Sequence, residues 1–327
     1  MRDARRGGRK MGSTIINKDN QKTGGDMGVP FRHAILAVDI SEASELMVAS
    51  ASDLAKLGVE KITLVHVAPV PYAGERREFS TDAERGILKV YKKEIEEQGF
   101  EAEFIIRSGV HFYPPTELIM TAEKEGADLI VIANRGHSKV QELLLGSTAT
   151  ELLLRSPLPV YLLNVGMDLD EETDERTFSL RKASEKMLDH VLHATDFSAT
   201  SNRAFEVVKS LESEGKVGKV SLVHVQGHHA LALSDPISLE RLTKLNEEML
   251  NEKRDELSDH TREEAQTYLT FGTAAKEIVS IAEEKGATMI VLGSQGKGFI
   301  EKFFIGGVSH QVARLSQVPV LLIPAER

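Results

Sequence analysis

Two stretches of the chain put small residues at a spacing suited to close contact with an anion. The first reads Ala133-Asn-Arg-Gly136-His-Ser-Lys-Val-Gln-Glu-Leu-Leu-Leu-Gly146-Ser147 and the second Gly293-Ser-Gln-Gly296-Lys-Gly-Phe-Ile-Glu-Lys-Phe-Phe-Ile-Gly306-Gly307. Both fit small-x-x-Gly-x9-Gly-small, and both follow an apolar run of strand character. A small residue at a strand end lets backbone approach a ligand, and a glycine pair opening a helix exposes N–H groups that favour negative charge. Ser147 adds a hydroxyl donor at that helix start, Ser309 lies close to the second one, and Lys139, Lys297 and Lys302 supply mobile positive charge. Such a loop can wrap a polyphosphate. Any one of these glycines serves equally well as a turn or a helix cap, but the same spacing in two places favours a ligand.

Other residues with chemistry to offer stand at matched positions. An apolar run ends in Asp-x-Ser twice, at Asp39 with Ser41 and at Asp196 with Ser198. An aspartate at a strand end either meets a ligand or makes an Asx turn and caps the following helix. Val67 and Val225 close the next apolar run, each directly after a histidine, His66 or His224. The valines are strand core whatever the function, and the histidines read as core or supporting residues rather than proton shuttles. His228 and His229 are adjacent, but neighbours on a strand or loop point apart and no carboxylate spacing completes a metal site. No metal is assigned to protein ligands. There is no Gly-x-Ser-x-Gly elbow and no P-loop, since Gly7 and Gly12 are followed by Ser13 and Thr14 rather than Lys-Ser/Thr. No catalytic residue is assigned.

The unit that positions these residues occurs twice. Residues 33–41 are answered by 190–198 at an offset of 157, 61–67 by 219–225 at 158, and 126–132 by 286–292 at 160. Residues 158–163 and 318–323 close the two copies. The period is that of a whole domain rather than a solenoid. Ser41 is placed to cap a helix carrying Leu46, Ser50, Leu54 and Leu57 and stopped by Gly58, and residues 200–215 repeat it. Strand three is read at 104–107 and at 268–271. Each copy thus reads βαβαβαβαβ, an alternation that argues for a parallel sheet covered on both faces. The chain divides into a basic and polar tail (1–28), a first domain (29–165), an acidic linker between two independently packed sheets (166–187) and a second domain (188–327). After strand three, copy two reads Gly272-x-Ala274-x-x-Glu277, whereas copy one inserts three residues between Gly109 and Glu117. His111, Phe112 and Tyr113 there either roof the first pocket or merely lengthen the loop.

At 327 residues, 41% apolar and 28% charged, the composition is that of a soluble globular protein of two domains, with no apolar run long enough to span a membrane. The absence of cysteine excludes disulfides and thiolate sites and fits a reducing, cytoplasmic setting. The net charge of −10 makes nucleic acid and anionic membranes poor partners. The cluster of Arg2, Arg5, Arg6, Arg9 and Lys10 reads as an extended tail, with an electrostatic tether as the alternative. It has no apolar core of a secretory signal, and Met11 and Met27 are alternative starts.

The paired loop resembles the Gly-x2-Gly-x9-Gly-Ser/Thr signature of the universal stress protein family, and the similarity covers both copies, residues 31 to 324. The resemblance implies an α/β fold of two tandem Rossmann-like (adenine nucleotide alpha hydrolase-like) domains, each a five-stranded parallel sheet of order 3-2-1-4-5 flanked by helices. It implies ATP or another adenine nucleotide as ligand, with any magnesium held by the phosphates. Carried over by position, Asp39 and Asp196 contact the base and Val67 and Val225 line the adenine pocket. The nucleotide loops are then Ala133, Gly136, Gly146 and Ser147 in copy one, and Gly293, Gly296, Gly306 and Gly307 with Ser309 in copy two. Family dimers pair through strand five, which implies an intrachain pseudo-dimer here and leaves a further homodimer open. Two positions depart from the signature: Ala133 replaces the first glycine, and Gly307 replaces the serine or threonine, a loss that Ser309 offsets in part. The two pockets are therefore unequal, with the second favoured. The function implied is an adenine-nucleotide-binding stress-response protein acting as sensor or regulator. A slow ATPase on the same fold and a non-nucleotide interaction module are the alternatives.

Overall fold

The computed structural model describes residues 30–70, 80–134, 145–169, 176–180, 186–227, 235–295 and 307–326. The basic tail, Gly136, Gly296, Gly306, the three loop lysines, His228 and His229 lie outside them.

In the first domain the apolar runs become β1 (His33–Ala37), β2 (Lys61–Val70), β3 (Glu101–Val110), β4 (Leu129–Ala133) and β5 (Val160–Leu163). Helices α1 (Glu42–Ala49), α2 (Asp82–Glu97), α3 (Pro114–Glu125) and α4 (Ser147–Arg155) connect them. The second domain repeats the order with β8 (His190–Ala194), α5 (Ala199–Ser213), β9 (Lys219–Gln226), α6 (Pro236–Asp255), α7 (Asp259–Glu264) and β10 (Gln266–Phe271). It continues with α8 (Ala274–Glu284), β11 (Met289–Gly293), α9 (Gly307–Leu315) and β12 (Val320–Ile323). Both strands three are longer than their apolar centres, because edge positions tolerate the polar residues that flank them. No described helix is long and apolar enough to cross a membrane.

Within each domain the strands are parallel and lie in the order 3-2-1-4-5. The linker was expected to separate two independently packed sheets, and the structure differs. All ten strands form one sheet, joined where β5 and β12 run antiparallel with Tyr161 opposite Leu321. These two residues are equivalents in the repeat, so a pseudo-twofold axis passes between them, as a self-complementary interface requires. The pairing hides two apolar edge strands that would otherwise be open to association. Both core layers cross the seam: one carries Leu36, Leu88, Val191 and Phe205, the other Ile35, Leu118, Leu192 and Ile278.

Two further expectations are corrected. The first helix does not run unbroken to Gly58. The Ser50 hydroxyl bonds the carbonyls of Leu46 (2.8 Å) and Met47 (3.3 Å), and the chain tightens into a 3-10 helix, Ala51–Leu57, before Gly58 ends it at φ 100°. The acidic linker also contains regular structure: β6 (Val165–Leu169) and β7 (Arg176–Leu180) form an antiparallel ribbon. Its Phe178 and Leu180 pack onto the first core layer.

Candidate functional site

With strand order 3-2-1-4-5, the chain leaves β1 toward one face of the sheet and reaches β4 from the other. The crevice between their carboxyl ends is where such sheets accept ligands. A cavity of about 280 Å³ opens there in the first domain. Asp39, Val67, Ala133, Gly146 and Ser147, five positions singled out in the sequence, all line it.

Each wall has a local cause. Ile40, at φ 61°, turns the chain sharply after β1, so that Asp39 faces the crevice and α1 starts beside it. Asp39 Oδ1 accepts the Ser41 amide (3.2 Å), the Ser41 hydroxyl (2.5 Å) and the Ser44 hydroxyl (2.9 Å). The Asx-turn reading of this aspartate is therefore real geometry, in a residue that also lines the cavity. His66 supports the same strand end, its Nδ1 lying 2.9 Å from the Val38 carbonyl oxygen, which requires the proton on Nδ1. Tyr91, on α2, has its phenol pushed up to about 12 by burial and by Glu45 and Asp39, so it stays neutral beside the aspartate.

The opposite wall is the start of α4. The Gly146 amide donates to the Asn134 carbonyl at 2.8 Å, pinching the base of the loop closed. The Asn134 amide in turn donates to Leu163, and its side-chain oxygen accepts the Val165 amide at 2.9 Å. Asn134 thus ties the loop base to β5 and to the ribbon. Gly146, Ser147, Thr148 and Ala149 line the cavity, and the first-turn amides of the helix have no intrahelical partners. Together with the helix dipole they make this wall attractive to an anion. Apart from Ser44 beside Asp39, the remaining lining is apolar and includes Met47, Val65, Pro114, Leu118 and Ile132, which suits a flat aromatic group.

From the inserted loop, only Pro114 reaches the cavity. Phe112 turns onto β3 instead. Its ring lies so close over Gly109 that a β-carbon there would come within 2.6 Å. The Arg107 guanidinium stands 5.3 Å from the ring centroid and binds Glu117 Oε2 at 2.7 and 3.0 Å.

The second domain repeats the frame with different chemistry. Asp196 Oδ1 accepts the Ser198 amide at 3.0 Å, Phe197 turns the chain at φ 60°, and His224 Nδ1 lies 2.8 Å from the Thr195 carbonyl oxygen. The Phe197 and His224 rings pack at 4.6 Å, next to Val225. Gly293 ends β11 against the start of α5, and Gly307 opens α9. Ser309 is buried, and its hydroxyl donates to the Gly293 carbonyl at 2.9 Å. It therefore ties α9 to β11 in the place where a phosphate donor was expected.

Ser44, His66 and Asn134 escaped the reading of the sequence as site residues. For Ser44 a signal existed: Asp-x-Ser-x-x-Ser occurs in both copies, ending at Ser44 and Ser201.

A model of the universal stress protein family matches residues 30–164 and again 187–324. Over 155 residues, 42% of this chain and 95% of the relative, the sequence is 29% identical to a universal stress protein of Methanocaldococcus jannaschii. A Mycolicibacterium smegmatis universal stress protein is 25% identical over 298 residues, 88% of this chain and 96% of the relative. Among solved structures, a universal stress protein from Archaeoglobus fulgidus superposes with a TM-score of 0.65 at 27% identity, covering 91% of this chain and 98% of that one. With its two matched repeats spanning both halves of one continuous sheet, the chain belongs to the universal stress protein family.

Proposed function

We propose that the protein binds an adenine nucleotide, ATP, ADP or AMP, in the crevice of each domain, and works as a stress-response sensor or regulator rather than by turning over a substrate. The observation that carries this reading is the convergence of Asp39, Val67, Ala133, Gly146 and Ser147 on one cavity whose far wall is a helix N-terminus. In this reading the base lies in the apolar end near Val67 with Asp39 at its edge, and the phosphates meet the amides that open α4. Any magnesium is held by the phosphates. Asp196, Val225, Gly293 and Gly307 serve the second crevice in the same way. Its cysteine-free composition supports a cytoplasmic setting. The ten-stranded sheet supports the chain acting as its own pseudo-dimer.

Calorimetric titration of the full chain with ATP, ADP and AMP tests this. Binding that disappears in the Asp39→Ala, Asp196→Ala double variant supports it, and a flat titration of the unmutated chain defeats it. Steady hydrolysis faster than about one turnover per minute, slowed by Gly146→Ala, would replace the sensor reading with a slow enzyme, a regime far below ordinary catalytic rates.

A further inference from the structure

The helices that follow the two signature loops begin at equivalent positions and carry different donors. Where α4 starts, the first domain reads Gly146-Ser147-Thr148-Ala149, and all four residues line the cavity. Where α9 starts, the second domain reads Gly306-Gly307-Val308-Ser309. Ser147 is therefore answered by Gly307 and Thr148 by Val308, so neither hydroxyl has a counterpart in the second copy. The hydroxyl that this turn does carry belongs to Ser309, the counterpart of Ala149. It is buried, and it donates to the Gly293 carbonyl at 2.9 Å. A hydroxyl has one hydrogen to donate. Ser309 thus has none left for a phosphate. Val308 is 41% exposed, presenting an apolar branch where the first domain presents the hydroxyl of Thr148.

Other parts of the two crevices match. Val65, Val67 and Leu118 at the apolar end are answered by Val223, Val225 and Ile278. The loops carry the same formal charge, with Arg135, Lys139 and Glu142 in one and Lys297, Lys302 and Glu301 in the other. Both helix starts have first-turn amides without intrahelical partners and the positive end of a dipole, which together hold an anion. What separates the two helix starts is the supply of further donors.

We propose that the two crevices sort adenine nucleotides by phosphate number: Ser147 and Thr148 make the first prefer the triphosphate, whereas the start of α9 gives further phosphates no hydroxyl and leaves the second crevice indifferent to their number. The inference rests on the nucleotide reading above and adds a division of labour to it. Hydrogen bonds to an ionised oxygen are about twice as strong as those between neutral groups, so the two hydroxyls weigh most on the phosphates of highest charge. A phosphate that meets no donor keeps its water and contributes little to affinity. The first crevice then fills with ATP, and the second with whichever adenine nucleotide is most abundant. Because one continuous sheet carries both crevices, the chain responds to the ratio of ATP to AMP rather than to either alone.

The test is calorimetric titration of ATP and AMP into the full chain at one fixed magnesium concentration. Asp196→Ala isolates the first site and Asp39→Ala the second. The ATP-over-AMP affinity ratio is expected to be larger at the first site by about threefold or more, part of the effect of one hydrogen bond to a charged group, since Ser147 is exposed to water. In the Asp196→Ala chain, Ser147→Gly with Thr148→Val should lower the ratio by about threefold or more. In the Asp39→Ala chain, Gly307→Ser with Val308→Thr should raise it by a similar factor. Thr148→Val alone exchanges side chains of one shape and should lower the first ratio in the same way, which keeps the test valid if the double exchange fails to fold. Ratios that agree between the sites within about threefold, or that move by less than this on exchange, with ATP still bound, overturn the proposal and leave the nucleotide reading intact. No ATP binding to the unmutated chain overturns both.

Discussion

Thr200 occupies the space a β-carbon would need on Gly293: such an atom would sit 2.9 Å from the threonine methyl, 3.0 Å from the Thr200 carbonyl carbon and 3.1 Å from the Ser201 amide. The glycine of the second signature is thus required by the protein's own packing, whatever it does for a ligand. Its counterpart Ala133 carries a β-carbon and lines the cavity, and the residue equivalent to Thr200 is the smaller Ala43. Gly293→Ala should destabilise the chain by about 1–3 kcal/mol, the usual cost of overpacking. Thr200→Ala in the same chain should recover part of this and not all, since it removes the methyl contact and leaves the two backbone contacts. Urea unfolding of the single and double variants measures the coupling, and strictly additive effects would refute the steric account.

Ile40 and Phe197 share a left-handed backbone, at φ 61° and 60°, but not the same compensation. Any residue with a β-carbon is costly there, by about 1–2 kcal/mol, and a β-branched one such as Ile40 especially so. Phe197 recovers some of that cost by packing its ring on His224. Ile40→Gly should therefore raise stability, by up to about 1 kcal/mol once the extra freedom of glycine in the unfolded chain is subtracted. Phe197→Gly should lower it. Thermal melts of the two variants decide the matter, and a loss of stability in both would show that the Ile40 side chain contributes more than its backbone costs.

Asn134 offers a readout at a single amide. Its side-chain oxygen is the acceptor for Val165 N–H, and Val165 is fully buried at the root of the ribbon. Asn134→Ala leaves that donor without its partner, a cost of about 1–3 kcal/mol. Hydrogen exchange at the Val165 amide should accelerate well beyond that at Ile130 in the adjacent sheet. Equal acceleration at both would mean global unfolding rather than a local release.

Much of this architecture was legible in the sequence. Alternating short apolar runs and helical patterns dictated the parallel sheet, and the repeat fixed which strands are equivalent. The convergence of Asp39, Val67, Ala133, Gly146 and Ser147 followed from where strand ends fall in such a sheet. What stayed hidden depends on contacts between distant segments. Nothing local tells that Ser50 will bond back to Leu46, or that the acidic linker will find a pairing partner within itself. Ser309 looked like a phosphate donor because it stands near a helix start. Only the register of α9 against β11 turns its hydroxyl onto Gly293. The continuous sheet was half visible: the pairing of the two fifth strands was implied by the family resemblance, whereas the shared core layers were not.

His193 supplies a pH dependence with a definite sign. Its ring is fully buried in the second domain, 5.3 Å from Phe205, with Nδ1 lying 3.1 Å from the Val291 carbonyl oxygen and Nε2 lacking a partner among the described residues. Burial, reinforced by Lys253, pushes its pKa down to about 3. Lys253 itself sits over the Phe205 ring at 4.6 Å. In the unfolded chain the imidazole returns to about 6.5. Between these values the unfolded chain binds a proton that the folded chain does not. The stability carried by neutral His193 is therefore full above pH 6.5 and is lost as the pH falls toward 3, by about 1.4 kcal/mol per unit. At pH 5 the loss is about 2 kcal/mol. His33 and His190, whose pKa values burial also lowers, add to the total slope. The discriminating quantity is thus the difference between the unmutated chain and His193→Leu, which installs the residue found at the equivalent Leu36. Urea unfolding at pH 7 and pH 5 should show a smaller acid loss in the variant, by about 2 kcal/mol. An identical loss in both proteins would mean that His193 is already protonated in the fold, or that its burial is relieved before the chain unfolds.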